Sequence, residues 1–280
     1  MELDHILQIM SGAARQAGAG LREDYARVER LTVNCKAGIG DLQSSADLRA
    51  EQTIKKILQA EFPGHSFLCE ESGFEEGVLP NCWIIDPLDG TTNFLRRIPL
   101  FAVNLASQIS DEIIAAVTYI PMNDELFCAA KGRGAYRNGE RINVSGQCDL
   151  RAATVSVGIP FSEKKFHPEF HKEMTALTPN VTQVRRLGSG ALELAYVACG
   201  RLDAYWERDV SPWDIAAGLL LVQEAGGHVS DADGMSASPA AGSIMASAPG
   251  LAAELLELLR SASGISLKKD QEPDSAGTDT

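Results

Sequence analysis

The chain has 280 residues, 45% of them hydrophobic, with 25 Lys and Arg against 38 Asp and Glu and a formal net charge of −13. That length and apolar content can bury a full core as one large or two smaller domains. The acidic balance excludes a surface built to hold a nucleic-acid backbone or an anionic membrane, so any anionic ligand would need metal ions or a local cluster of donors.

The opening Met1-Glu2-Leu3-Asp4-His5 lacks the basic and apolar regions of a signal peptide, and no run of residues is long enough to span a bilayer. A cytoplasmic protein is expected, with neither nucleic acid nor membrane as partner. Cys35, Cys69, Cys82, Cys128, Cys148 and Cys199 form no Cys-x-x-Cys pair, and their apolar contexts suit reduced, buried thiols.

Leu3, Ile6, Leu7, Met10, Ala14, Ala17 and Leu21 recur at helical spacing and predict a first amphipathic helix reaching Arg22 to Ala26. A Gly-containing loop, Asn34 to Asp41, carries the isolated Lys36. Ser44, Ser45 and Asp47 can cap a second helix, which Phe62-Pro63-Gly64 ends. Asp47 then reads as a first-turn carboxylate that favours the helix dipole. Ser66 to Cys69 is a short apolar strand that ends in Glu70 and Glu71.

Trp83-Ile84-Ile85 is sheet-favouring, and Asp86-Pro87 and Asp89-Gly90 are turn punctuation, so a buried strand should end at Asp86. Pro87 disfavours a helical conformation at Asp86, which lets Asp86 and Asp89 share one tight turn. Gly90 permits close backbone approach, and the amides of Gly90, Thr91 and Thr92 would open a short helix able to accept an anion. Carboxylates beside anion-binding amides make chemical sense together when metal ions lie between them. An isolated Asp-x-x-Asp is nonetheless most often a turn, so the motif needs carboxylates from elsewhere in the chain.

Phe101–Ile109, Ile113–Ile120 and Leu126–Ala130 read as an antiparallel meander. From Ala152 strands alternate with helices, an α/β pattern. His167 and His171 are four apart but straddle Pro168 and read as surface histidines. Pro212-Trp213-Asp214 begins another helix, with Asp214 in its first turn, and Glu224-Ala225-Gly226-Gly227 stops it. A final strand and a helix over Leu251 to Leu259 close the fold, and the polar tail, 263–280, is expected to be disordered.

Glu70, the stretch Trp83 to Phe94 and the stretch Trp213 to Gly227, taken in that order, closely resemble the motifs of the inositol monophosphatase family, from the first helix to Leu259. The resemblance implies an α+β fold, a five-layered α-β-α-β-α sandwich, with 1–262 as one catalytic domain divided near residue 150, and a homodimer. It implies Mg²⁺, two to three ions, held by Glu70, Asp86, the Leu88 carbonyl, Asp89 and Asp214. Hard oxygen ligands of this kind suit Mg²⁺. It further implies phosphate binding by Gly90 and Thr91, and a water between Glu70 and Thr91, with Asp47 orienting Thr91. Asp89, Ser189, Gly190 and Glu207 would meet the alcohol, and Lys36 would sit on a loop near the metals.

The implied activity is hydrolysis of a small polyol phosphate, myo-inositol monophosphate first, with sensitivity to lithium. Histidinol phosphate, fructose 1,6-bisphosphate, NADP and adenosine 3′,5′-bisphosphate are alternatives, and a regulatory role with the transcription machinery is a reading of another class. Two departures from the family pattern bear on substrate: Arg208-Asp209 stands where smaller or apolar residues are frequent, and Gly190 stands where Ala is frequent.

Overall fold

The computed structural model describes residues 3–36, 42–160 and 164–264. Helices α1 (Leu3–Tyr25) and α2 (Ser45–Glu61) are linked through an antiparallel ribbon of β1 (Val33–Cys35) and β2 (Leu42–Ser44). Strands β3 (Ser66–Cys69), β4 (Gly73–Glu75) and β5 (Asn81–Asp89), the short helix α3 (Thr91–Leu95), and strands β6 (Ala102–Ile109), β7 (Glu112–Ile120), β8 (Glu125–Ala130), β9 (Gly134–Arg137) and β10 (Glu140–Ile142) follow. They make an eight-stranded sheet in the order β10-β9-β8-β7-β6-β5-β3-β4, antiparallel except where β3 lies beside β5.

The second half runs β11 (Thr154–Val157), α4 (His167–Leu177), β12 (Gln183–Arg185), α5 (Gly190–Ala198), β13 (Ala204–Arg208), α6 (Pro212–Glu224), β14 (His228–Ser230), β15 (Ser243–Ser247) and α7 (Ala252–Ser263). Its five strands are ordered β12-β11-β13-β15-β14, with β12, β11 and β13 parallel and the other two pairings antiparallel.

Strand alternation sorts these elements into layers, because successive side chains leave opposite faces of a sheet. Trp83 and Ile85 pack with Ile6, Met10, Leu21, Ile54 and Leu58 of α1 and α2. Ile84 faces the other way, into a core shared by α5, α6 and Tyr205 of β13. Ala204 and Trp206 of β13 instead join Phe170 and Leu177 of α4 and Leu255 and Leu259 of α7. Three cores separated by two sheets give the expected α-β-α-β-α sandwich.

Four details depart from the sequence reading. Val33–Cys35 is a strand rather than loop, paired with Leu42–Ser44; the rest of that predicted loop, 37–41, lies outside the described residues, as does the predicted tail from 265. Strand β5 does not end at Asp86 but continues to Asp89, with a register shift between Asp86 and Asp89 opposite β6. Such a bulge tolerates Pro87, which has no N–H for the ladder. Strands β4, β9, β10 and β14 were not anticipated, their three or four residues giving too short a pattern to read. All six cysteines are free as expected, but only Cys69 is fully buried, while Cys35 and Cys148 are exposed.

Two contacts in the middle layer are tight. Gly218 of α6 lies against α5 so closely that a Cβ would stand 2.7 Å from Leu194 Cβ. Glu193, 2% exposed, accepts from Ser156 Oγ at 2.6 Å and from the Leu187 amide at 2.7 Å, and so ties α5 to β11 and to the segment before Ser189. Burial pushes its carboxyl up from 4.5 to about 7, against the pull of those two donors.

Gly218→Ala should destabilise the protein by about 1–3 kcal/mol through overpacking, read as a lower urea midpoint at unchanged slope. For Glu193 the folded state keeps its proton at a pH where the unfolded chain has lost it. Its contribution is therefore complete below the unfolded value and is lost as pH rises through about 7. Glu193→Gln should thus flatten the fall in urea midpoint between about pH 5 and pH 8; a slope matching wild type would contradict this.

Candidate active site

The four carboxylates Glu70, Asp86, Asp89 and Asp214 come from three different elements and lie where the two halves face each other. Glu70 follows β3, which lies parallel to β5 with Cys69 opposite Ile85, and the Glu70 amide donates to Ile85 O at 3.1 Å. Asp86 and Asp89 flank the bulge of β5. Asp214 is in the first turn of α6. Asp86 is 2% exposed, and its Oδ1 accepts from the Leu88 amide at 2.9 Å.

All four carboxyls are raised. Burial acts first at each, pushing Glu70 to about 7 and Asp89 to about 6. At Asp86 the charges of Glu70, Asp89 and Asp214 then add to burial, and at Asp214 those of Asp89 and Glu70 do the same. These groups therefore repel one another across a space withdrawn from water.

Lys36, at the end of β1, partly compensates. Its ammonium is 2.9 Å from Glu70 Oε1 and 2.7 Å from Glu71 Oε1. Burial draws its pKa down, but the two carboxylates outweigh that and hold it above the ordinary value. The Glu71 side chain is fully buried and also accepts from Gln43, while its amide donates to Glu51 Oε2 at 3.0 Å. The pair Glu70-Glu71 is thus not a solvated loop end.

Asp47 and Asp214 occupy the same position in their helices, the third residue after the N-cap. One oxygen of each accepts from the N-cap amide, Ser44 at 2.8 Å and Ser211 at 2.7 Å. For Asp47, buried and raised by burial against the Ser44 donors, the second oxygen stands 3.0 Å from Thr91 Oγ1. Thr91 Oγ1 is also 3.1 Å from the Leu88 carbonyl. With one proton to donate, it serves one acceptor at a time and keeps lone pairs for a further donor.

Gly90 is the N-cap of α3 with φ of 93°, a left-handed conformation that L side chains rarely adopt. A Cβ there would also crowd Leu100 O at 3.1 Å and Ser189 Cβ at 3.2 Å. The first amides of α3 lack intrahelical acceptors, as at any helix start. Ser189 and Gly190 lie directly across from this turn. Ser189 Oγ donates to Asp89 Oδ2 at 2.5 Å, and the Ala191 amide donates to the same oxygen at 2.8 Å. Glu207 extends from β13 on the Tyr205 face, and the Tyr205 hydroxyl donates to its Oε2; burial holds its carboxyl well above the usual range.

The residues expected at the metals and the phosphate lie in this neighbourhood, but Arg208 does not. It leaves the opposite face of β13 and binds Glu173 at 2.9 Å through Nε and Asp233 at 2.9 Å through Nη2. Arg208 thus ties β13 to the outer helix layer and does not enter the alcohol side of the site. His167 and His171 likewise stay apart from it, with His167 Nε2 2.9 Å from Pro160 O.

Two asparagines escaped the sequence reading. Asn104, 1% exposed and opposite Asp86 in the sheet register, donates to Trp213 O at 2.8 Å and receives a bond from Thr118 at 2.7 Å, which fixes the first turn of α6. Asn93 donates to Leu100 O and Leu187 O, each at 2.7 Å, and so holds the Ser189 segment against α3. A polar residue inside an apolar strand was the available signal for Asn104.

Glu70, Asp86, Asp89 and Asp214 are the groups that could hold a divalent cation. Among the described residues no three His, Cys, Asp or Glu side chains stand together as a metal-holding group. Their oxygens are instead turned to Lys36, to Ser189 and Ala191, to Ser211, and to one another.

Comparison with known proteins agrees with this architecture. The inositol monophosphatase family profile matches residues 2–263. An inositol-1-monophosphatase of Caulobacter vibrioides is 44% identical over 257 residues, covering 90% of this chain and all of that protein. The Nus factor SuhB of Escherichia coli is 39% identical over 265 residues, 94% of this chain and 99% of that one. The crystal structure of extragenic suppressor protein suhB from Bartonella henselae superposes with a TM-score of 0.88 at 40% identity, covering 91% of this chain and 98% of that one. The chain belongs to the inositol monophosphatase family and is a phosphatase-type hydrolase.

Proposed function

We propose that the chain hydrolyses a small polyol phosphate, myo-inositol monophosphate first, to the alcohol and inorganic phosphate with Mg²⁺ as cofactor. The observation that carries this reading is the mutual repulsion of four carboxylates, Asp86 buried and Glu70, Asp89 and Asp214 half-buried, beside the Gly90-Thr91 turn. Such a set is costly to keep ionised without counter-charge, and its hard oxygens fit Mg²⁺ rather than a softer ion. Glu70, Asp86, Asp89, Asp214 and the Leu88 carbonyl would hold two to three ions. Bound there, magnesium supplies positive charge for the phosphate oxygens and polarises a water.

The chain's own part follows from its hydrogen bonds. Thr91 Oγ1, while donating to Asp47, accepts from a water and aims its oxygen at phosphorus. Glu70 takes the proton that water gives up as the water oxygen bonds to phosphorus, the ester P–O bond breaks, and the departing alkoxide takes a proton from solvent. The Gly90 and Thr91 amides donate to phosphate oxygens. On the alcohol side Asp89, Ser189, Gly190 and Glu207 form the pocket, with Glu207 accepting from hydroxyls of the polyol. Ser189 contributes through Asp89, since its hydroxyl is already committed there. Lys36 would release Glu70 as cations enter.

We place this chemistry in a single catalytic domain, 1–262, acting as a cytoplasmic homodimer inhibited by lithium, on the strength of the family resemblance. No helix of the described residues is long and apolar enough to cross a membrane. A second role as a binding partner of the transcription machinery is favoured by the Nus factor name of the Escherichia coli relative. A partner retained in pull-down by protein carrying Asp86→Asn and Asp214→Asn would support it, and loss of every partner would count against it.

Phosphate release from inositol 1-phosphate, histidinol phosphate, fructose 1,6-bisphosphate, NADP and adenosine 3′,5′-bisphosphate, with Mg²⁺ and with chelator, tests the main reading. Release that requires Mg²⁺ and is fastest with inositol 1-phosphate is expected; no release from any ester would sink it. Asp89→Asn should lower turnover by roughly two or more orders of magnitude while circular dichroism and the thermal midpoint stay close to wild type. Near-normal activity in that variant would remove Asp89 from the site.

A further inference from the structure

The carboxyl of Glu207 lies in a cradle that two glycines open and one tyrosine closes. Alternation along β13 puts Tyr205 and Glu207 on the face toward α5, and Tyr205 is completely buried there. Its hydroxyl donates to Glu207 Oε2. Gly158, just past β11, has its amide on Trp206 O at 3.1 Å, and a Cβ at Gly158 would overlap the Glu207 carboxyl carbon. Gly190, the first residue of α5, faces the tyrosine: a Cβ there would stand 2.9 Å from the Tyr205 hydroxyl oxygen and 3.6 Å from Glu207 Oε2. At Gly158 and Gly190 the missing side chain is thus a matter of space for two neighbours.

We infer that Tyr205, admitted by Gly190, is a specificity-determining positioning residue that fixes Glu207 over Gly158 and so sets which polyol phosphates the site accepts. A glutamate has three side-chain torsions, and an unheld one must be ordered when substrate binds. The phenol does that ordering in advance. It occupies Oε2 and leaves Oε1 as the acceptor for a substrate hydroxyl, which defines a direction as well as a charge. The pocket thereby selects an alcohol with a hydroxyl at that point. Removal of the phenol hydroxyl leaves the Glu207 carboxyl without that donor, the loss of one hydrogen bond.

The inference rests on the phosphatase reading, and one experiment separates the two. Wild type, Tyr205→Phe, Gly190→Ala and the double variant are assayed with Mg²⁺ on inositol 1-phosphate and on p-nitrophenyl phosphate, which has no polyol, and their thermal midpoints are measured. Tyr205→Phe should raise KM for inositol 1-phosphate about tenfold more than KM for p-nitrophenyl phosphate. Gly190→Ala should show the same split, because its methyl group displaces the phenol, and should lower the midpoint. The double variant should recover part of that midpoint and show a split no larger than either single variant. Equal changes for both esters, or single-variant splits that multiply in the double variant, would overturn the inference while wild-type turnover leaves the phosphatase reading in place. A wild type inactive on both esters would remove the reading and the inference together.

Discussion

Like charges gathered away from water are the constraint around which this fold is arranged. Four carboxylates at the meeting of the two halves would separate or protonate if the chain gave them freedom to do so. Each is held by a different local device. The bulge in β5 re-aims Asp86 and Asp89 without ending the strand. Asp214 is fixed by its bond to the Ser211 amide at the start of α6, and Asn104 fixes the turn beneath it. The Ser189 hydroxyl and the Ala191 amide hold Asp89 from across the domain. These devices fix positions, and Lys36 on Glu70 is the cation that offsets part of the charge.

That division explains how much the sequence disclosed. Asp86, Asp89 and Asp214 were legible because turn residues and helix starts are local signals, and Glu70 because an apolar strand ends on it. The layers were legible for the same reason: alternation in Trp83-Ile84-Ile85 assigns its two faces to two cores. What could not be read was whatever depends on register. Asn104 matters because it lies opposite Asp86 on one side and Thr118 on the other. The Asp-Pro pair was misread as a strand end because a bulge and a turn use the same residues. Arg208 seemed to alter the pocket until the pairing of β13 showed which face it leaves from.

Register also decides the alcohol side. Glu207 and Arg208 are adjacent in sequence but separated by the thickness of a sheet, so one faces Tyr205 and α5 and the other the outer helices. Trp206 and Arg208 both bind Glu173 of α4, at 3.1 Å and 2.9 Å, so that face of β13 is anchored into the buried layer. Anchoring one face restrains the other. Tyr205 and Glu207 inherit a backbone that cannot shift without breaking this network, which makes a small difference such as a glycine at residue 190 felt in the pocket rather than absorbed by the strand.

The short ribbon β1–β2 links the Lys36 ion pairs to the contact between Asp47 and Thr91. Its first strand leads into Lys36, which lies on Glu70 and Glu71. Its second strand carries Gln43, also on Glu71, and ends at Ser44, whose hydroxyl donates to Asp47 Oδ2 at 2.5 Å while the other oxygen of Asp47 meets Thr91. The Ser45 amide, bound to Thr32 O at 2.9 Å, closes the base of the ribbon. A cation that displaces Lys36 from Glu70 would therefore pull on the same three-residue ladder that caps α2 and orients Thr91. Lys36 at one end of the ribbon and the Asp47 cap at the other are thus joined through three paired residues on each strand.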